Sequence, residues 1–291
     1  MLQDIAFGRL ENEFYIKEAK DLDLVICIRG REILLKRDAD DTLHFPTAGQ
    51  VRSWAAEMGW QPWEGGQIRY VFRMEGDDYF LWMGQAGVCP EEGFAYEQAR
   101  TLRQMISKDQ CYAAMTAWHL YNWYRCNRYC GNCGEKTVHD GKERMMRCPK
   151  CGNLIFPRIS PAVIVAVTDG ERLLMSKYAG RAYTRYALLA GYTEIGETME
   201  QTVHREVMEE VGLKVKNIRY YKSQPWGVDG NVLMGFYCDL DGADEIHIDE
   251  NELAMAQWFH RSEIPAKDDG ISLTREMIRV FQEGKEPKVT V

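Results

Sequence analysis

Residues 191–213 read GYTEIGETMEQTVHREVMEEVGL, and this segment narrows the folds open to the chain more than any other. Thr198 followed by Gln201 has the spacing of a capping box, in which two residues satisfy each other's polar groups at a helix start. Gly212 stands just past the last periodic residue, where a helix stops. Between them Val203, Val207 and Val211 recur at i, i+4 and i+8. They make one apolar stripe that a core must cover.

The opposite side of the same helix carries chemistry. Glu206, Glu209 and Glu210 stand at i, i+3 and i+4, so their carboxylates share a neighbouring face. Three adjacent carboxylates repel unless something positive sits among them. Hard divalent ions such as Mg²⁺ or Mn²⁺ take oxygen ligands and would relieve that repulsion. Arg205, four residues before Glu209, can pair with it and fix its orientation. A solvated acidic face would account for the glutamates alone. It leaves Gly191, Glu197, Arg205 and Gly212 at their spacings unexplained.

Four of the nine cysteines form a second pattern. Cys130, Cys133, Cys148 and Cys151 make C-x2-C-x14-C-x2-C, close to the spacing of a four-thiolate zinc ribbon. Each pair is followed by a glycine, Gly134 or Gly152, that permits a tight knuckle. Two disulfides or a redox pair would use the same residues, but an intracellular chain with mirrored halves favours Zn²⁺. With every position filled by protein, that zinc is structural. Cys27, Cys89, Cys111, Cys126 and Cys238 read as core or incidental thiols, and Cys126 does not fit the ligand spacing.

The chain of 291 residues has room for two domains, or two plus a small insert. Its net charge of −8 argues against broad affinity for a phosphate backbone. The longest apolar run, Ala162 to Val167, is too short to span a bilayer, and the N-terminus lacks the pattern of a secretory signal. The expectation is a cytoplasmic enzyme acting on small molecules, with no membrane partner.

Short apolar or alternating runs, LVICIRG, REILLK, RYVFRM and DYFLWMG, make residues 1 to about 95 β-rich, with one helix over VRSWAAEMGW. Residues 96–125 read as helical, with Ala99, Leu102, Met105, Met115, Trp118 and Leu120 recurring. Trp118, Tyr121, Trp123 and Tyr124 read as core or dimer packing. From Pro157 the pattern changes. SPAVIVAVTDG and RLLMSKY form a hairpin over Asp169-Gly170, and ALLAGY leads into the acidic helix. The strands IRYYKSQPW and LMGFYCDL follow, then one around Gln257–Phe259, and the helix LTREMIRVFQEG closes the chain. This order suits an α/β sandwich. The domains are therefore 1–125 (β-rich with a linking helix), 126–156 (zinc ribbon) and 157–291 (α/β).

The segment at 191–213 fills every fixed position of G-x5-E-x7-R-E-U-x-E-E-x-G-U, with U apolar, and so resembles the Nudix box. The order zinc ribbon, box, then Ser223-Gln224-Pro225-Trp226 resembles the bacterial NADH pyrophosphatase family, well over residues 126–291. That family is marked by SQPWPFPxS, whereas this chain continues as Gly227-Val-Asp-Gly-Asn231, so the loop is expected to be looser. The resemblance implies a Nudix α/β/α sandwich, a homodimer, and metal-dependent cleavage of NADH or NAD⁺ into nicotinamide mononucleotide and AMP. It implies Mg²⁺ or Mn²⁺ ligation by the Ala190 carbonyl, Glu206, Glu210 and Glu252, and proton removal from water by Glu209 or Glu252. It implies substrate contacts at Phe156, Tyr192, Gln224, Pro225 and Trp226, with Glu143 as a further candidate. Thr274 receives no role, and His204, at a variable box position, is expected to be exposed.

Rival readings use the same residues. Removal of NAD caps from RNA is the same cut, and would want basic side chains such as Arg144, Arg147, Lys150 and Arg158 beside the ribbon. Hydrolysis of damaged triphosphates or of ADP-ribose fits the altered loop after Trp226. A binding module with a decayed site fits less well, because no residue of the box is missing.

Overall fold

A computed structural model describes residues 1–4, 10–39, 42–58, 68–84, 88, 93–99, 102, 107–180, 185–265 and 269–289. It divides into two compact units. The first comprises Asp4–Arg158 with Gly227–Asp229, and the second Met1–Gln3, Ile159–Trp226 and Gly230–Val291.

The first unit holds strands β1 (Leu10–Glu11), β2 (Leu24–Ile26), β3 (Ile28–Arg29), β4 (Glu32–Arg37), β5 (Leu43–His44), β6 (Ile68–Met74), β7 (Asp77–Trp82) and β8 (Phe94–Gln98). One sheet runs β1-β6-β7-β2, and another β3-β4-β5 with β8 on β4. Helix α1 (Ala48–Glu57) starts at Thr47, whose capping box with Gln50 sets the start three residues before the apolar run. Its tail reaches Met58, and residues 59–67 lie outside the described set. Helix α2 (Lys108–Cys126) starts where the Ser107 hydroxyl accepts from the Gln110 amide at 3.2 Å.

One expectation is corrected here. Phe94–Gln98 is a strand, paired with Lys36–Glu32, and not the first part of a helix over 96–125. Cross-strand pairing with a distant segment overrides a helical periodicity that is weak before Ser107. Met105 lies outside the described residues. Trp118, Trp123 and Tyr124 are buried in the core of this unit, with Tyr121 packed against it.

The second unit is a mixed sheet with a helix on each face. Its strands are β12 (Ser160–Asp169), β13 (Arg172–Tyr178), β14 (Leu189–Tyr192), β15 (Val215–Trp226), β16 (Asn231–Leu240) and β17 (Leu253–His260). The order is β15-β16-β12-β13-β17, with β14 paired to β12. Strand alternation sorts the side chains of β12. Val163, Val165 and Val167 pack with Val203, Val207 and Val211 of helix α3 (Met199–Val211). Ile164 and Ala166 pack on the other face with Leu273, Met277, Ile278 and Phe281 of helix α4 (Leu273–Gln282). Full burial of each valine of the α3 stripe contributes about 1.5–3 kcal/mol. The result is the α/β/α sandwich expected from the sequence.

Candidate active site

Helix α3 is held at both ends by the groups expected. The Gln201 amide donates to Thr198 Oγ1 at 3.2 Å, and the Thr198 amide to Gln201 Oε1 at 2.8 Å. Gly212 closes the helix at φ +70, with its amide on the Met208 carbonyl at 3.0 Å. The loop after β16 is tied back to the helix, as the amides of His247 and Asp249 donate to the carbonyls of Val211 and Glu210 at 2.9 and 3.0 Å. That return loop carries Glu252.

Glu206 and Glu210 are buried, at 8% and 2% exposure, while Glu209 and Glu252 are exposed. Glu206 lies directly over Gly191 of β14. A Cβ at Gly191 would fall 1.8 Å from Glu206 Cδ, so only glycine leaves room for this carboxyl. Burial pushes the Glu206 carboxyl up from its ordinary range, and the charges of Glu209 and Glu252 push it further, against the lowering pull of Arg205. Two further acidic groups thus act on Glu206: Glu209 from its own helix and Glu252 from the distant loop.

Arg205 supplies the positive charge among them. Its Nη1 donates to Glu206 Oε1 at 2.8 Å and to Glu209 Oε2 at 3.0 Å, so the expected pair with Glu209 is present. Its main anchor is Glu197, gripped through Nε at 2.6 Å and Nη2 at 3.0 Å. Nη2 also donates to the Tyr192 carbonyl at 2.8 Å. Glu197 accepts further from the Glu194 amide and the Thr202 hydroxyl, both at 3.0 Å. The hydrogen bonds from Arg205, then that from Glu194, bring its pKa down to about 2. This clamp eluded sequence reasoning, since eight residues separate Glu197 from Arg205 and only the bend of the loop joins them.

Ala190 is half-buried in β14, opposite Ile164. Tyr192 is 51% exposed, and His204 is exposed as expected. Gln224 is fully buried, and its carboxamide is used within the fold. It donates to Gln3 and to the Ile271 carbonyl at 3.1 and 2.8 Å, and accepts from the Leu273 amide at 2.7 Å. Its observed work is to fasten the start of α4. Pro225 is exposed and Trp226 half-buried at the end of β15. Phe156, 53% exposed, and Glu143, also exposed, belong to the first unit.

The loop after Trp226 is not loose. Gly227 packs onto α2, where an added Cβ would fall 2.1 Å from the Met115 carbonyl oxygen and 3.3 Å from His119 Cβ. Proline does not fit at that position. The departure from PFPxS is thus a close backbone contact, invisible in the sequence because its partner is remote.

The ribbon strands β9 (Val138–His139), β10 (Met146–Arg147) and β11 (Leu154–Ile155) form a three-stranded sheet beside the four cysteines. The sulfurs all lie within 4.8 Å of one another, with Cys130–Cys151 at 3.6 Å and Cys133–Cys148 at 3.5 Å. Tetrahedral Zn–S bonds of about 2.3 Å place sulfurs roughly 3.8 Å apart, so the set fits zinc. The knuckles mirror each other. The Gly134 and Gly152 amides, at φ +74 and +75, donate to the carbonyls of Cys130 and Cys148 at 2.8 and 3.0 Å. All four thiols are free of disulfides. A backbone hydrogen bond at Asn153, helped by the Asn132 side chain, lowers the Cys151 thiol to about 6. Cys126 is exposed and outside the set, whereas Cys27, Cys111 and Cys238 are buried. Cys89 lies outside the described residues.

The basic patch beside the ribbon is smaller than its composition suggests. Arg144 turns inward, donating to the Val71 carbonyl at 2.6 Å and to Asn12 Oδ1 at 3.1 Å. Arg147 pairs with Asp140 at 3.1 Å. Among the described residues, no helix is long and apolar enough to cross a membrane.

An α/β/α sandwich bearing this loop–helix–loop, joined in one chain to a four-thiolate ribbon, defines a Nudix hydrolase with a structural zinc site. Residues 158–281 match the NUDIX domain family, and residues 125–156 match the NADH pyrophosphatase zinc ribbon domain. A protein of Pectobacterium atrosepticum named NAD-capped RNA hydrolase NudC is 36% identical over 199 residues, 68% of this chain and 76% of that one. The protein of the same name from Chromobacterium violaceum is 35% identical over 211 residues, 72% of this chain and 79% of that one. The chain belongs to the bacterial NADH pyrophosphatase family of Nudix hydrolases.

Proposed function

We propose that this enzyme hydrolyses the diphosphate of NADH or NAD⁺, releasing nicotinamide mononucleotide and AMP. The observation that carries the reading is the buried Glu206 carboxyl, seated on Gly191 and pushed up by its own burial and by Glu209 and Glu252. Glu206, Glu210 and Glu252, with the Ala190 carbonyl, are the groups that would hold Mg²⁺ or Mn²⁺. They are hard oxygen donors whose mutual repulsion a divalent cation relieves, so the residues fit the ion. Bound cations supply charge neutralisation at the phosphoryl oxygens and Lewis acidity toward water.

The protein's own groups do the rest. Arg205 fixes the orientation of Glu206 and Glu209 from one guanidinium. Glu209, its side chain 60% exposed, or Glu252 on the return loop accepts the proton of the attacking water. Water adds to one phosphorus, the bridging P–O bond breaks, and the second mononucleotide leaves. Tyr192 offers a ring for a base, and Pro225 and Trp226 its border. Phe156 and Glu143 are further proposed contacts.

Removal of NAD caps from RNA is the second reading, favoured by the names of the relatives. The inward turn of Arg144 leaves fewer cations for an RNA tail. Mass spectrometry of products from NADH, NAD⁺ and an NAD-capped oligonucleotide, each with Mg²⁺ or Mn²⁺, tests both. Nicotinamide mononucleotide is expected from the free dinucleotides, and no product from any of the three overturns the reading. We further propose a cytoplasmic homodimer, for which light scattering on the purified protein is the check of oligomeric state.

A further inference from the structure

Tyr192 is held at two ends. Its carbonyl accepts from Arg205, and its hydroxyl accepts from Asn231 Nδ2 at 3.3 Å. Asn231 opens β16 and is paired on both sides, with Ser160 of β12 and Trp226 of β15. Its backbone is therefore fixed by the sheet. Asn231 is only 6% exposed, and among the described residues its Oδ1 has no hydrogen-bond partner.

A buried carboxamide with one atom unspent has lost its water without full compensation and calls for a reason. Within the fold its Nδ2 bonds the Tyr192 hydroxyl. The contact survives exchange of the two carboxamide atoms, since the hydroxyl then donates instead. Tyr192 itself is 51% exposed.

We propose that Asn231 is a positioning residue that sets the Tyr192 ring for stacking on a planar heteroaromatic base of the substrate. The inference rests on the dinucleotide reading above and assigns Asn231 a part in it. Arg205 fixes the backbone of Tyr192 and Asn231 the far end of its ring, so the ring keeps one plane relative to the glutamates of α3. Stacking then costs less ordering of the side chain, and the gain appears in substrate binding.

The test is a double-mutant cycle of Tyr192→Phe and Asn231→Ala, read as KM and kcat for NADH and as Tm. Tyr192→Phe keeps the ring and removes only the hydroxyl. Each single change should raise KM about three- to tenfold, the size of one net hydrogen bond, with a smaller effect on kcat. The double variant should bind no worse than the weaker single, because both remove one contact. A normal KM in Tyr192→Phe overturns the inference, even if Asn231→Ala fails to fold. So does an Asn231→Ala effect that is undiminished in the Tyr192→Phe background. Wild-type protein that cleaves no dinucleotide overturns the functional reading and this inference together. Cleavage with additive variants overturns the inference alone.

Discussion

Gly191 and Glu206 share one space: the Glu206 carboxyl lies where any side chain on Gly191 would begin, 1.8 Å from the ideal Cβ position. The backbone of Gly191 cannot retreat, because β14 is paired to β12 at Val163. The carboxyl must yield to any larger residue. The first position of the motif and its glutamate are therefore one steric unit, separated by a loop and two turns of helix.

Gly191→Ala should displace Glu206 by about an ångström or more. Misplacement on that scale costs about a hundredfold in turnover. Circular dichroism should stay native, and steady-state kinetics on NADH should show the loss mainly in kcat. Near-normal kcat contradicts the steric argument.

The Glu197–Arg205 clamp makes a prediction about acid. Hydrogen bonds from Arg205, then from the Glu194 amide and the Thr202 hydroxyl, lower the Glu197 pKa to about 2 from its usual 4.5, so the folded protein holds this proton less tightly than the unfolded chain. Its stabilising effect is complete above about 4.5 and is lost as pH falls toward about 2. Glu197→Gln removes that effect, so its Tm should fall less than the wild-type Tm across this window. Parallel Tm profiles for the two proteins contradict it.

Gly227→Ala places a methyl group 2.1 Å from the backbone oxygen of Met115, an atom that cannot swing aside. Overpacking of this kind costs about 1–3 kcal/mol. For a chain of this size each kcal/mol corresponds to about 2–4 °C in Tm. Thermal unfolding should show that drop, and an unchanged Tm means that α2 and the turn are not packed as described.

Cys148→Ser should abolish zinc binding, seen by elemental analysis as loss of one zinc per chain, and should lower Tm. Mn²⁺ affinity should be unaffected, because α3 and its glutamates are folded into a different unit. A Tm equal to that of the zinc-loaded protein contradicts a structural role.

The parts legible in the sequence are those specified locally. Thr198, Gln201, the valine stripe and Gly212 lie within one helix length, and each acts as the sequence implies. The mirrored knuckles were equally readable, since each closes over a few residues. The strand at Phe94–Gln98 was not, because what makes it a strand is β4. Glu197 was visible as a position in a motif, but its grip on Arg205 depends on the loop bending back. Gln224 read as a substrate contact, yet its carboxamide fastens α4, an assignment that needs the position of Leu273. Gly227 read as slack and is a tight contact.

The central claim is that Glu206 and Glu210 gather divalent cations. Electron paramagnetic resonance of Mn²⁺ titrated into wild type, Glu206→Gln and Glu210→Gln measures it directly. Wild type should immobilise Mn²⁺, and each variant should weaken binding by at least about tenfold. Equal Mn²⁺ affinity in all three proteins contradicts the account.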